Sequence, residues 1–376
     1  MILRSLLAVG FALLVSIASA AGAEPVVSNV QGLQRPGTKL VDISYDVTAD
    51  TPTVAVTLRI SSDGGATFEV PATTLSGAVG PNVPVGTGKV ITWNAGTDWL
   101  GNYSTAMRFE VTADDGVVTA PDGFVYVAAG SLPESSWAGP QDVEGFFMGK
   151  TEVTYGEFEA VRTWAAANGY DIDWADLEAV KAWASANGYT NGRTNNNAMN
   201  GPATYVSWYQ SLKWCNARSE KEGLRPVYKV GAAIYRTGES VPTIDTNANG
   251  CRLPSEKEWE FAARGGIKTN GYIYSGSNDN NAVAWTGENS SDGDKEVSTK
   301  NANELGLWDM SGNAWEWCFD NHSDRARVLR GGSWFFGANL CRIDYRHYRE
   351  PSLSFSVSNF SGDPSFGFRI ARSITP

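Results

Sequence analysis

Arg330-Gly331-Gly332-Ser333-Trp334-Phe335-Phe336-Gly337-Ala338-Asn339-Leu340-Cys341 is the stretch on which the fold of this 376-residue chain turns. It sets paired glycines, three successive aromatic rings and one sulfur close together. It lies in a C-terminal region, from Gly266 to Pro376, that is rich in Gly, Asn, Ser and aromatic residues and poor in long periodic runs. Such a composition predicts an irregular, loop-dominated half held by turns, side-chain hydrogen bonds and bound cations. No histidine motif accompanies Ser333, so it reads as a hydrogen-bonding strand residue and not as a nucleophile.

Upstream of this stretch the pattern becomes helical. Thr154 with Glu157 forms a capping box, followed by the apolar stripe Phe158, Val161 and Ala165. Ser207 leads into a helix that places Trp208, Leu212 and Cys215 on one face, with Gly223 as its stop. Ser255 with Glu258 makes a second capping box before Trp259 and Ala262-Ala263, and Gly265-Gly266 ends that helix. The segment Ala160–Tyr170 recurs nineteen residues later as Ala179–Tyr189. Two copies are too few for a solenoid, so they predict a local helix-turn duplication on the surface.

The N-terminal part alternates with period two. Val41, Ile43, Tyr45 and Val47 do so, as do Val54, Val56, Leu58 and Ile60, and then Met107, Phe109 and Val111. Each set predicts a strand with one buried face, and Ser62-Asp63-Gly64-Gly65 predicts a hairpin turn. The expected architecture is an all-β, immunoglobulin- or fibronectin-like sandwich over residues 24–118, serving as a spacer or adhesion module. Asp114-Asp115-Gly116 and Pro121-Asp122-Gly123 mark the boundary with a second domain over residues 119–376.

The chain carries 42% hydrophobic and 19% charged residues and a formal net charge of −11. That balance excludes nucleic acid as a partner, because a phosphate backbone requires a basic face. Residues 1–23 combine a basic start, a short apolar run and an A-x-A exit, which predicts a cleaved signal peptide and a secreted or periplasmic protein. The run is shorter than the ~20 residues that cross a bilayer, so no membrane span is expected. The four cysteines, Cys215, Cys251, Cys318 and Cys341, allow three pairings in an oxidising compartment; Cys318–Cys341 is one candidate, and buried free thiols are the other reading.

Several segments taken in order resemble the formylglycine-generating enzymes, or sulfatase-modifying factors. They are Gly149–Thr154, Val206–Tyr209 with Trp214–Asn216, Arg252–Gly266, Asn303–Trp317, Arg330–Trp334 and Gly367–Arg369, spanning about Phe124 to Arg372. The resemblance implies an α+β domain of the C-type-lectin-like superfold with much irregular structure. The family it points to is broad and includes copper oxidases, iron-dependent sulfoxide synthases and hypervariable binding proteins, so the fold does not dictate the function.

In the oxidases of this family two thiolates hold copper(I), a soft ion suited to paired sulfur. The resemblance puts those thiols three and eight residues after Ser333, at Phe336 and Cys341. A phenyl ring is no ligand, which speaks against copper and leaves Cys341 as the sole candidate catalytic residue. With only His322 and His347 in the chain, a three-histidine iron site is excluded. The resemblance also implies a structural calcium held by the side chains of Asp309 and Glu316 and the carbonyls of Gly312 and Ala314; an ordinary backbone-bonded turn is the other reading. Two functions follow. One is an extracytoplasmic module that binds a protein or peptide through a groove lined by Ser333, Trp334, Phe336 and Arg342. The other is a copper-dependent oxidase that converts a sulfatase cysteine to formylglycine.

Overall fold

The structure, a computed structural model, describes residues 25–137, 139–172, 198–290, 293–352 and 365–374. The expected signal peptide and the second copy of the duplicated segment lie outside the described residues. The chain divides into two compact units, one ending at Thr119 and one beginning at Ala120.

In the first unit the period-two runs form strands as their alternation requires. The strands are β1 (Val26–Gln34), β2 (Leu40–Thr48), β3 (Thr53–Ser61), β4 (Leu75–Gly77), β5 (Gly80–Pro84), β6 (Gly86–Asn94) and β7 (Arg108–Asp114). They make two antiparallel sheets, ordered β1-β2-β6-β4 and β5-β3-β7. Ile43, Tyr45, Ile91 and Trp93 from one sheet share a core with Val54, Val56, Ile60 and Val111 from the other. The turn after β3 leads to a single bridge between Val70 and Ile60 and not to a full partner strand. There Ser61 and Asp63 capture local donors, the Gly65 and Thr67 N–H groups among them, and so compete with ladder pairing.

In the second unit, Phe146–Gly149 lies between Phe124–Val127 and Ala371–Ser373 in a small antiparallel sheet. Three helices follow the predicted signals: Tyr155–Ala166, Trp208–Lys221 and Glu256–Ala263. All three open on a reciprocal capping box, the middle one through Ser207 and Gln210. The indoles of Trp208, Trp214, Trp259, Trp315 and Trp317 are fully buried. The sheet that carries the candidate site has the order His347–Arg349, Ala326–Arg330, Trp315–Ser323, Phe366–Gly367, the last pair parallel.

All four cysteines are buried free thiols. The Cys318–Cys341 bridge is not formed. Cys341 lies against Ser333, whereas Cys318 belongs to the core cluster with Trp259, Met310 and Val328. Cys215 and Cys251 instead share Ser219, whose hydroxyl donates to the Cys215 carbonyl (2.7 Å) and accepts from the Cys251 N–H (2.8 Å).

Candidate functional site

The antiparallel pair Trp315–Ser323 and Ala326–Arg330 delivers the chain to Gly331 and Gly332, at φ 94° and 78°. Only glycine adopts this region without strain. Gly332 has a second constraint, because a Cβ there would stand 2.5 Å from Cys341 Sγ and 2.7 Å from Cys341 Cα. The missing side chain is what lets the two segments press together. The turn is then fixed by the Phe336 N–H to the Ser333 carbonyl (3.2 Å), the Trp334 N–H to the Asn313 carbonyl (3.0 Å) and the Gly287 N–H to the Phe336 carbonyl (2.8 Å).

Ser333 and Cys341 are wholly buried, and Cys341 Sγ lies 3.7 Å from the Ser333 carbonyl and 3.9 Å from that of Gly337. Phe336 is half-buried, its ring edge-on to Trp315 with centroids 5.9 Å apart. The first thiol position of the resemblance is therefore filled by hydrocarbon, and the second sulfur is screened from solvent. Trp334 and Phe336 belong to one continuous aromatic band. It runs Trp334–Phe335–Phe336–Trp315–His347–Tyr348–His322, with centroid spacings from 3.9 to 5.9 Å. Phe335 and Tyr348 are 44% and 48% exposed, so the band surfaces at two points. Arg342 is exposed and paired with Asp344 at 2.8 Å.

Sequence reasoning missed the nitrogen atoms in this band. Trp315 Nε1, His347 Nε2 and His322 Nδ1 are buried and make no hydrogen bond among the described residues. Burial, and then the Arg349 charge, hold His347 down to about 4, so it is neutral near pH 7. The signal that could have found it is His347 standing in an alternating Tyr-Arg-His-Tyr-Arg run with one face inward.

Two buried arginines anchor the site from behind. Arg330 donates to Glu260 (2.6 Å) and to the Tyr345 carbonyl (2.7 Å). Arg369 forks onto Glu316 at 2.7 and 2.6 Å and also reaches the carbonyls of Gly149 and Trp308 at 3.1 and 2.8 Å. Glu316 accepts a third bond from Trp259 Nε1 at 2.6 Å. Beside it, Glu152 accepts from the Asn313 amide (2.7 Å) and the Ala314 N–H (2.8 Å). Burial, then Asp309 and Glu316, push Glu152 well above the usual carboxylate range. Burial likewise pushes Asp309 up to about 6.

The residues expected around calcium fit a cation unevenly. Asp309 Oδ2 accepts from the Ser298 N–H (2.7 Å), but Oδ1 is buried and has no partner. That bare oxygen, on a carboxylate whose charge also raises Glu152, suits a hard cation. Glu316 does not, because both its oxygens are already engaged. Among the described residues, no group of three or more His, Cys, Asp and Glu side chains is arranged to hold a metal.

A family profile described as "Sulfatase-modifying factor enzyme 1-like domain" matches residues 102–374. The chain is similar to the protein named chaperone protein LppX of Paenibacillus barcinonensis, 38% identical over 175 residues, or 38% of this chain and 62% of that one. It is also similar to the inactive C-alpha-formylglycine-generating enzyme 2 of Bos taurus, 43% identical over 137 residues, or 32% of this chain and 44% of that one. It thus spans less than two thirds of these curated relatives. Among solved structures, the one described as the crystal structure of CarF superposes with a TM-score of 0.55 at 24% identity, over 68% of this chain and 99% of that one, a likeness of fold alone.

Proposed function

The chain belongs to the sulfatase-modifying factor enzyme 1-like family, and from that premise we propose that it binds a polypeptide instead of oxidising a cysteine. The observation that carries this reading is the pair Phe336 and Cys341: a ring where a copper thiol would sit, and a sulfur sealed behind Gly332. Copper(I) held by one buried thiolate lacks the second soft donor its chemistry needs. Relatives whose names describe an inactive enzyme and a chaperone support the same reading.

The polypeptide meets the exposed part of the aromatic band, around Trp334 and Phe335, with Arg342 at its margin. Aromatic rings and arginine supply most of the binding energy at such surfaces. The signal peptide expected at residues 1–23 places this activity outside the cytoplasm. The N-terminal sheets serve as an immunoglobulin- or fibronectin-like spacer. A structural calcium at Asp309 Oδ1, with the Gly312 and Ala314 carbonyls, completes the turn before Trp315.

The test has two arms. Copper-loaded protein is incubated in air with a C-x-P-x-R peptide, and the peptide mass is followed. No aldehyde is expected, and its formation would establish the oxidase reading in place of this one. In parallel, binding of a permanently unfolded polypeptide, reduced carboxymethylated lactalbumin, is measured. Retention that weakens in Trp334→Ala and Phe335→Ala supports the proposal, and retention indifferent to both removes it.

A further inference from the structure

A cavity of about 210 Å³ opens in the N-terminal unit, lined by residues between Gly32 and Phe109. Most of that lining precedes residue 102, where the family match begins, so the family accounts for little of it. Its apolar lining includes Trp99, Tyr103 and Phe109, and its polar lining includes Gln34, Lys39 and Asn102. No carboxylate lines it, and Lys39 is its one basic residue, on a chain of net charge −11.

Within the lining, Gln34 Nε2 donates to the Thr38 carbonyl (2.6 Å), Asn102 Nδ2 to the Leu100 carbonyl (3.5 Å) and the Ser104 hydroxyl to the Ser62 carbonyl (2.6 Å), and the walls are held by further bonds. Asp98 ends the short helix Ala95–Asp98 and accepts five hydrogen bonds. Four come from the N–H and hydroxyl groups of Thr73 and Thr74, at 2.7–2.8 Å, and one from Trp93 Nε1 at 3.0 Å. The Trp99 N–H then bonds the Ala95 carbonyl (3.0 Å), which fixes the start of the loop that carries Tyr103. On the opposite wall, a Cβ at Gly32 would stand 2.2 Å from the Phe109 ring, so glycine there is what allows the ring to lie across β1. At the rim, Leu100 and Tyr103 are 76% and 84% exposed. Large apolar groups left in water beside a preformed cavity mark a binding site.

We propose that this pocket binds a saccharide, taking one pyranose ring of a longer glycan. The C–H face of the sugar stacks on the flat rings of Trp99 and Tyr103, while Gln34, Asn102 and Lys39 meet its hydroxyls. Flat rings with two amides, one ammonium and no carboxylate suit a polyhydroxylated, partly apolar ligand. A wholly apolar ligand would cover the Lys39 ammonium and the amide oxygens of Gln34 and Asn102 without offering them a partner.

The test is affinity electrophoresis of the full chain through gels containing laminarin, xylan, a soluble cellulose derivative or polygalacturonate, followed by calorimetry on any glycan that retards it. Retardation by at least one is expected. Tyr103→Ala, at a surface position that leaves the core intact, lowers the association constant about tenfold or more, a loss typical of one stacked ring. Gln34→Ala weakens binding as well, and Phe335→Ala in the other unit leaves it unchanged. Retardation by polygalacturonate alone supports the proposal and assigns the selection to Lys39. Retardation by none of the glycans overturns it, and so does binding that persists undiminished in both Tyr103→Ala and Trp99→Ala.

Discussion

Replacing Arg369 with methionine keeps most of the side-chain volume and removes the guanidinium that faces Glu316, Glu152 and Asp309. Arg369 and Glu316 are both fully buried and share two bonds of 2.6–2.7 Å. After the substitution the Glu316 carboxylate keeps only Trp259 Nε1, and the carbonyls of Gly149 and Trp308 lose their donor. Removing one partner of a buried ion pair costs about 3–5 kcal/mol. For a unit of this size, each kcal/mol moves the melting temperature by about 2–4 °C, so a fall of roughly 10 °C is expected. Scanning calorimetry of the full chain reads it, and a transition from the N-terminal unit serves as the internal control. Arg369→Met combined with Glu316→Leu should lose about 2 kcal/mol less than the sum of the two single changes, because the second removes a charge the first has stranded. Arg369 favours the charged forms of Glu152 and Asp309. Without it both take up protons more readily folded than unfolded, so the deficit narrows as the pH is lowered. A loss under about 1 kcal/mol, or strict additivity of the two changes, would refute the reasoning.

Three other outcomes follow from the same geometry. Asp309 rises from 3.8 to about 6 on folding, so its protonation favours the folded state below pH 3.8 and that contribution is lost as the pH climbs through 6. At about 1.4 kcal/mol per unit the loss is about 3 kcal/mol; in chelator the melting temperature should drop across this window, and millimolar calcium should restore it at pH 7.5, whereas no response to calcium removes the cation from Asp309. Gly332→Ala forces a left-handed alanine whose Cβ meets Cys341 Sγ at 2.5 Å and should cost 2 kcal/mol or more by denaturant midpoint; a second change, Cys341→Ala, should return part of it. Phe335→Ala, at a position 44% exposed, should alter stability by no more than about 0.5 kcal/mol, and a larger loss would mean that the ring is core.

What could be read from the sequence was local. The capping boxes at Thr154/Glu157 and Ser255/Glu258 are contained within four residues, and the helices start where they say. The box at Ser207 uses Gln210, an amide doing the work of a carboxylate. The alternating strands of the N-terminal unit were equally direct, because one buried face forces period two. Contacts closed over long stretches of chain left no such trace. Nothing near Glu316 announces that Arg369 will occupy both its oxygens, so the side chain expected on calcium is engaged elsewhere. Nothing near Gly332 announces that Cys341 will press on its Cα. The sequence located the sulfur, but its burial depends on a close approach between two segments that only the folded chain makes.

The four cysteines carry a practical consequence. All are free, wholly buried and confined to the C-terminal unit: one on a helix, one just before Arg252, one in a central strand and one behind Gly332. A thiol reagent added to the reduced protein therefore reacts only through opened conformations, and the modification rate of each sulfur measures the free energy of opening at its own place. Because the N-terminal unit has no cysteine, the native chain reports on the breathing of one half alone, without a label having to be introduced.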